Sequence, residues 1–137
     1  MVSIHDVMVG DFLRVTKDVC IKKGTIVEVR GCDADNNFPE AGLTGCISCH
    51  PLDKNQFTGG VWADYLDPIP LTPQILEKNG WEYKNGIWVK KGPVRLGWYE
   101  KKKELIIGYH TMPIIVEFVH TLQHIIRLLG LEEDIVL

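Results

Sequence analysis

The sequence has little excess charge of either sign, no long apolar run and none of the complete motifs that mark common catalytic sites. Lys and Arg total 15 against 18 Asp and Glu, a formal charge of -3. So mild an acidic balance supplies no field to draw in a phosphate backbone, and no polybasic membrane-surface patch is present. No apolar run approaches the roughly 20 residues of a membrane span. The first residues, MVSIHDVMVGD, carry neither the basic nor the apolar region of a secretory signal. The expectation is a cytoplasmic protein without membrane contact, whose four cysteines stay as thiols. None of the 13 glycines stands in the strand, loop and helix spacing of a phosphate cradle. Nucleophilic triads and paired glycosidase carboxylates are equally unreadable. The chain is therefore expected not to be an enzyme and to need no cofactor.

What is present suffices for a core. With 137 residues, 45% hydrophobic and 24% charged, the composition is that of a soluble globular protein, one ordinary domain or two very small ones sharing a core. The stretch Ile69 to Trp81 organises the reading, because Thr72 is an N-cap, Pro73 fits the first helical position and Gly80 can end the helix. This predicts a short helix over 72–79 linking two β-rich segments, 1–68 and 69–137.

In the first segment Ser3 to Met8 can form one helical turn. Phe12 to Thr16, Thr25 to Arg30, Leu43 to His50 and Val61 to Leu66 have the β-branched, alternating character of strands. The Asp- and Asn-rich run 31–42 reads as a loop, and Asp53 to Gln56 and Gly59-Gly60 read as turns. Short strands at this spacing predict a small, strongly bent barrel. The pattern GD-x-L-x-V followed by KGT-x-V-x-V resembles SH3-like small barrels of ribosomal and transcription-associated modules, which implies fold more than function.

In the second segment Asn85-Gly86 between Trp81 to Lys84 and Ile87 to Lys90 is a type I′ hairpin signal. Val94 to Tyr99 and Leu105 to Tyr109 continue the meander across a turn at Lys101 to Lys103. A long amphipathic helix is predicted from Ile115 or Val116 to Leu129, capped by Gly130. Phe118, Val119, Leu122, Ile125, Ile126 and Leu129 form its apolar arc, packed on the sheet, and Glu117, His120, Gln123, His124 and Arg127 its polar arc. Asp134 to Leu137 can add an edge strand. The fold class is α+β: an SH3-like barrel, a linking helix, and an antiparallel sheet covered by one helix.

The string PIPLTPQILEKNGW, a short β-region and then VHTLQHIIRLLGLEEDI resembles a set of small uncharacterised proteins of gut-bacterial prophages and mobile elements. In those a PLTPEILEKNGF-like segment precedes a VHELQ- or VHQLQ-like helix. The resemblance covers residues 66–137 and implies architecture and genetic setting, with no catalytic residues to carry over.

Three constellations bear on chemistry. Cys46-Ile47-Ser48-Cys49-His50 matches the string of covalent haem attachment, which also needs export and a distal ligand. The same residues with Cys20 and Cys32 could make a zinc site, although a zinc ribbon has two C-x-x-C knuckles and a strand sends Cys46 and Cys49 to opposite faces. His120 and His124 stand at i and i+4, but Thr121 occupies the place of the glutamate base in H-E-x-x-H, so an exposed polar helix face explains them. Lastly, Trp62, Tyr65 and Trp98 are candidates for a binding surface, against the plainer reading that the aromatics fill the core. The function expected is a non-catalytic accessory or protein-interaction module of a prophage or mobile element. A nucleic-acid-binding barrel and a structural zinc protein are the alternatives.

Overall fold

The computed structural model describes every residue except 91, 100, 101, 109 and 132. The chain divides into two compact units, Met1–Ile69 and Pro70–Leu137. Each builds one five-stranded antiparallel sheet, and with two α-helices among the described residues the class is α+β, as expected.

In the first unit Ser3 caps a 3-10 turn at Ile4–Asp6 by accepting from the His5 amide, as the sequence predicts. The strands are β1 (Phe12–Val15), β2 (Ile26–Asp33), β3 (Cys46–Pro51), β4 (Gly59–Trp62) and β5 (Leu66–Pro68). Period-two alternation sends Leu13, Val15, Val27, Val29, Ile47 and Cys49 to one side, where they form the core with Ile21, Val61 and Leu66. Gly59 and Gly60, expected as a turn, belong to β4. Their missing side chains make room for thiols: a Cβ would lie 2.7 Å from Cys20 Sγ at Gly59 and 3.1 Å from Cys46 Sγ at Gly60.

The strand order is β4-β3-β2-β1-β5, so β4 and β5 are the two margins of the sheet. Yet they are joined by the three-residue 3-10 turn Ala63–Tyr65. The four steps from Trp62 to Leu66 reach at most about 14 Å, whereas four flat interstrand steps need about 19 Å. The sheet must therefore coil. A register shift in β2 between Val29 and Gly31 supplies a bulge that increases the bend. The margins do not pair, however, so the strongly bent barrel expected here is an open coiled sheet among the described residues. Trp62 lies opposite Cys46, itself opposite Asp33 at the far end of β2, whereas Leu66 lies opposite Val15, which bonds Thr25 just before β2 begins. The two margins are thus offset along the strands, out of ladder register.

The second unit begins with Pro70 and helix α1 (Pro73–Lys78), where Thr72 Oγ1 accepts from the Ile75 amide at 3.3 Å. Strands β6 (Glu82–Lys84) and β7 (Ile87–Val89) follow, joined by Asn85 and Gly86 at φ 51° and 82°, the paired positive values a type I′ turn demands. Then come β8 (Val94–Tyr99), β9 (Lys102–Ile107), β10 (His110–Ile115) and helix α2 (Val119–Leu128). Tyr83, Trp88, Leu96 and Leu105 lie opposite one another across four strands and so share a face. The last three are buried, while Glu82, Lys84 and Arg95 on the other face are exposed.

Four expectations for this unit need correction. Of the expected turn at Lys101 to Lys103, Lys102 and Lys103 belong to β9, and residue 101 lies outside the described residues. The segment 110–115 is an edge strand: Ile114 and Ile115 are β-formers, and Pro113 is tolerated at an edge. That delays the helix to Val119. His120 and Gln123, assigned to the polar arc, are buried, and Leu129, assigned to the apolar arc, is past the helix end and 39% exposed. Phe118 stacks on His120, and Gln123 is covered by the tail, which forms no strand among the described residues. Leu131, Glu133, Asp134 and Ile135 line a cavity together with Gln123 and Arg127, so the tail covers the side of α2 that reads as polar.

A contrast between two glycines tests the packing ahead of β3. Gly45 (φ 73°) donates to Asn37 Oδ1 at 2.7 Å, accepts from the Ala63 amide at 3.0 Å, and leaves no room for a Cβ, which would fall 2.3 Å from Ile4 Cδ1. Gly42 has a similar φ of 69° and open space around it. Gly45→Ala should cost about 2–3 kcal/mol in urea denaturation and Gly42→Ala about 1 kcal/mol. Equal losses would mean that Ile4 does not press on Gly45.

Candidate functional site

The pairing of β8 with β9 sets Trp98 opposite Lys103 and Tyr99 opposite Lys102, one pair on each face. Lys103 Nζ stands 4.6 Å from the Trp98 ring centroid and donates to Leu71 O at 2.8 Å. Its backbone is held as well, since Lys103 O accepts from the Val116 amide at 2.7 Å. Leu71 N in turn donates to Glu117 O at 2.8 Å, and Pro70 bridges to Phe118. These links draw β8, β9 and the leads into both helices together at one end of the sheet. The result is a groove of about 370 Å³ lined by Pro70, Trp98, Tyr99, Lys102, Lys103, Glu117 and Phe118.

Behind the groove stands an aromatic stack. Trp98 meets Trp88 at 5.9 Å and 70°, and Trp88 meets Tyr83 at 5.3 Å. Trp88 is only 4% exposed, and its Nε1 has no hydrogen-bond acceptor among the described residues. A buried indole N–H costs free energy unless something pairs with it. Chemically the groove offers apolar ring surface, the ammonium groups of Lys102 and Lys103, and the Glu117 carboxylate. Lys102 is only loosely committed, 3.9 Å from Glu104.

Trp98 was expected at a binding surface and lies in this groove. Trp62 and Tyr65 belong to the first unit. Trp62 is half-buried and precedes the 3-10 turn; Tyr65 packs against the core with Lys17 over its ring at 4.6 Å and donating to its hydroxyl at 3.3 Å. Of the groove residues, Pro70, Lys102, Lys103, Glu117 and Phe118 were not singled out for binding by sequence reasoning. The ladder register that sets Trp98 opposite Lys103 is what brings them together.

The C-x-x-C-H string does not converge. Alternation along β3 buries Cys49 and turns Cys46 and His50 to the other face, where His50 Nδ1 lies 2.8 Å from Thr58 Oγ1. Cys20 is exposed and donates to Gly60 O at 3.4 Å; Cys32 is exposed with Sγ 3.9 Å from Val7 O. His120 and His124 stand edge to face at 5.7 Å, and Phe118 stacks on His120 at 5.8 Å and 12°. Among the described residues no three His, Cys, Asp or Glu side chains are grouped to hold a metal ion. No helix among them is long and apolar enough to cross a membrane.

Burial, with smaller contributions from Cys46, Cys20 and Cys32, pushes the Cys49 thiol up to about 12. Burial and then Asp33 raise Cys46, and burial and then Asp11 raise Cys32.

No protein-family profile, no curated protein and no solved structure matches the chain. The groove's own chemistry therefore carries the functional reading.

The thiols give a pH prediction. A raised folded-state value means that the folded protein holds its proton when the unfolded chain has lost it. The stabilisation is complete below the ordinary thiol value of 9.0 and is lost as pH climbs from there to about 12. Denaturant midpoints should fall across that window, and Cys49→Ala should flatten the fall relative to the parent. With a thiol-reactive dye at neutral pH, Cys20 should label first and Cys49 only on unfolding. Early labelling of Cys49 would contradict its burial.

Proposed function

We propose that the protein is a non-catalytic, cytoplasmic protein-interaction module of the kind carried by prophages and mobile elements, with the groove around Trp98 as its contact surface. The observation that carries this reading is the state of the Trp98 ring: Lys103 covers it at 4.6 Å and is pinned there by Leu71 O. A nucleobase needs that face to stack, whereas a partner's side chain can use the ring edge, Tyr99 and Phe118. The first unit is read as an SH3-like small barrel. Its meander order and the 3-10 turn between the last two strands support that reading. Small barrels commonly serve as binding surfaces, which agrees with an accessory role.

The two lysines beside aromatic rings also fit a single-stranded nucleic acid, so the test separates the two partners. Tagged protein is used to capture partners from host lysate with and without nuclease, alongside Trp98→Ala and Tyr99→Ala variants. A specific protein should persist after nuclease and lose about thirty-fold in affinity with Trp98→Ala, the size of effect expected for a central aromatic anchor. Tyr99→Ala, at an exposed position, guards against mere loss of packing and should also weaken capture. Recovery that collapses with nuclease would overturn the proposal in favour of nucleic acid.

A further inference from the structure

We propose that Lys78, Asn79 and the cleft burying Ile135 form a recognition site for an extended peptide that carries an acidic residue two places before an apolar anchor, filled here by the chain's own segment 133–137. This site is separate from the Trp98 groove and does not depend on it.

Asn79 closes α1 and turns its side-chain amide on Val136. Oδ1 accepts from the Val136 amide at 2.7 Å, and Nδ2 donates to Val136 O at 2.7 Å while also donating to Ile75 O at 2.7 Å. A neighbouring strand reads a peptide by the same donor and acceptor pair; here one side chain supplies both. Lys78 Nζ donates to Leu137 O at 2.6 Å. Ile135 is 5% exposed, so it is the apolar anchor, whereas Val136 is 56% exposed and its side chain goes unread. Glu133 meets Lys90 at 3.0 Å, which accounts for the acidic position. Backbone pairing, an apolar anchor and a charge contact are the components of peptide recognition by strand-like addition.

None of these contacts requires the covalent link through Leu131. Nor does the segment fill its seat. A cavity of about 270 Å³ remains beside Ile135, with Gln123 and Arg127 contributed by α2. The chain's own segment is thus a placeholder that a partner with the same spacing, and with more bulk, can displace. Because the tethered segment competes at an effective concentration near millimolar, a free peptide must match that concentration or the tether must first be weakened.

The probe is the end-blocked peptide Glu-Asp-Ile-Val-Leu, with a scrambled peptide as control. Hydrogen exchange on the unaltered protein should show the Val136 amide losing protection at millimolar probe, with the Leu96 and Leu105 amides unchanged. Full-length Ile135→Ser, which lacks the anchor, should bind labelled probe at least ten-fold more tightly than the parent. Adding Asn79→Asp, which keeps the acceptor and removes the Nδ2 donor, should reverse at least ten-fold of that gain. Equal binding by Ile135→Ser and the parent, indifference to Asn79→Asp, or equal binding of the scrambled peptide would overturn the proposal. Should Ile135→Ser not fold, unchanged protection of Val136 in the parent would overturn it alone.

Discussion

The first unit depends on the turn Ala63–Tyr65, because that turn ties the two margins of one sheet within reach of a few residues. Everything around it is arranged to hold it. Asp64 Oδ2 accepts from the Thr44 amide at 2.8 Å, the Ala63 amide donates to Gly45 O, and Tyr65 O accepts from the Thr16 amide at 2.9 Å. Two of these bonds reach the residues just before β3 and one reaches the residue just after β1, so the turn fixes where β1 leaves and where β3 enters. The bulge in β2 supplies the curvature the turn requires. A sheet this strongly coiled buries one face against itself, and the core of Leu13, Val27, Ile47 and Leu66 follows from that closure.

In the second unit the corresponding knot is Lys103. Its ammonium covers Trp98, its side chain reaches Leu71 O, and its own carbonyl receives Val116 N. One residue thereby connects the approach to α1, the middle of the sheet and the approach to α2. The groove arises as the gap left where these three approaches meet. Its side chains are therefore set by backbone pairing, and its rigidity comes from the sheet rather than from a loop.

The strongest local signals gave correct structure. Thr72-Pro73 and Asn85-Gly86 each satisfy a demand made within four residues, so nothing distant can override them. The long helix was mislaid by three or four residues at its start. Its periodicity continues smoothly into Ile114, Ile115 and Val116, which pair as strand or run extended instead. Burial of His120 and Gln123 was not legible, because a helical wheel assumes one covered side. The buried positions of α2 span an arc of roughly 220° at 100° per residue. The second cover comes from a tail whose anchoring partner, Asn79, is more than fifty residues away in sequence. The offset that keeps the first sheet open depends likewise on register, and register is invisible in composition.

The mild acidity of the whole chain also needs to be resolved by unit. Residues 1–69 carry ten acidic and six basic side chains, whereas residues 70–137 carry eight and nine. With screening over about 8 Å in physiological salt, a ligand at the groove responds most to the charges that line it or pair beside it, Lys102, Lys103, Glu104 and Glu117. The net charge of -3 therefore excludes less at the groove than it does for the chain as a whole. What weighs against a nucleic acid there is local: the Trp98 face is already taken by an ammonium that is anchored through a backbone carbonyl. Displacing it would strip Lys103 of both partners at once, so an incoming base must offset two lost contacts before it gains one. A side chain approaching from Tyr99 and Phe118 faces no such cost.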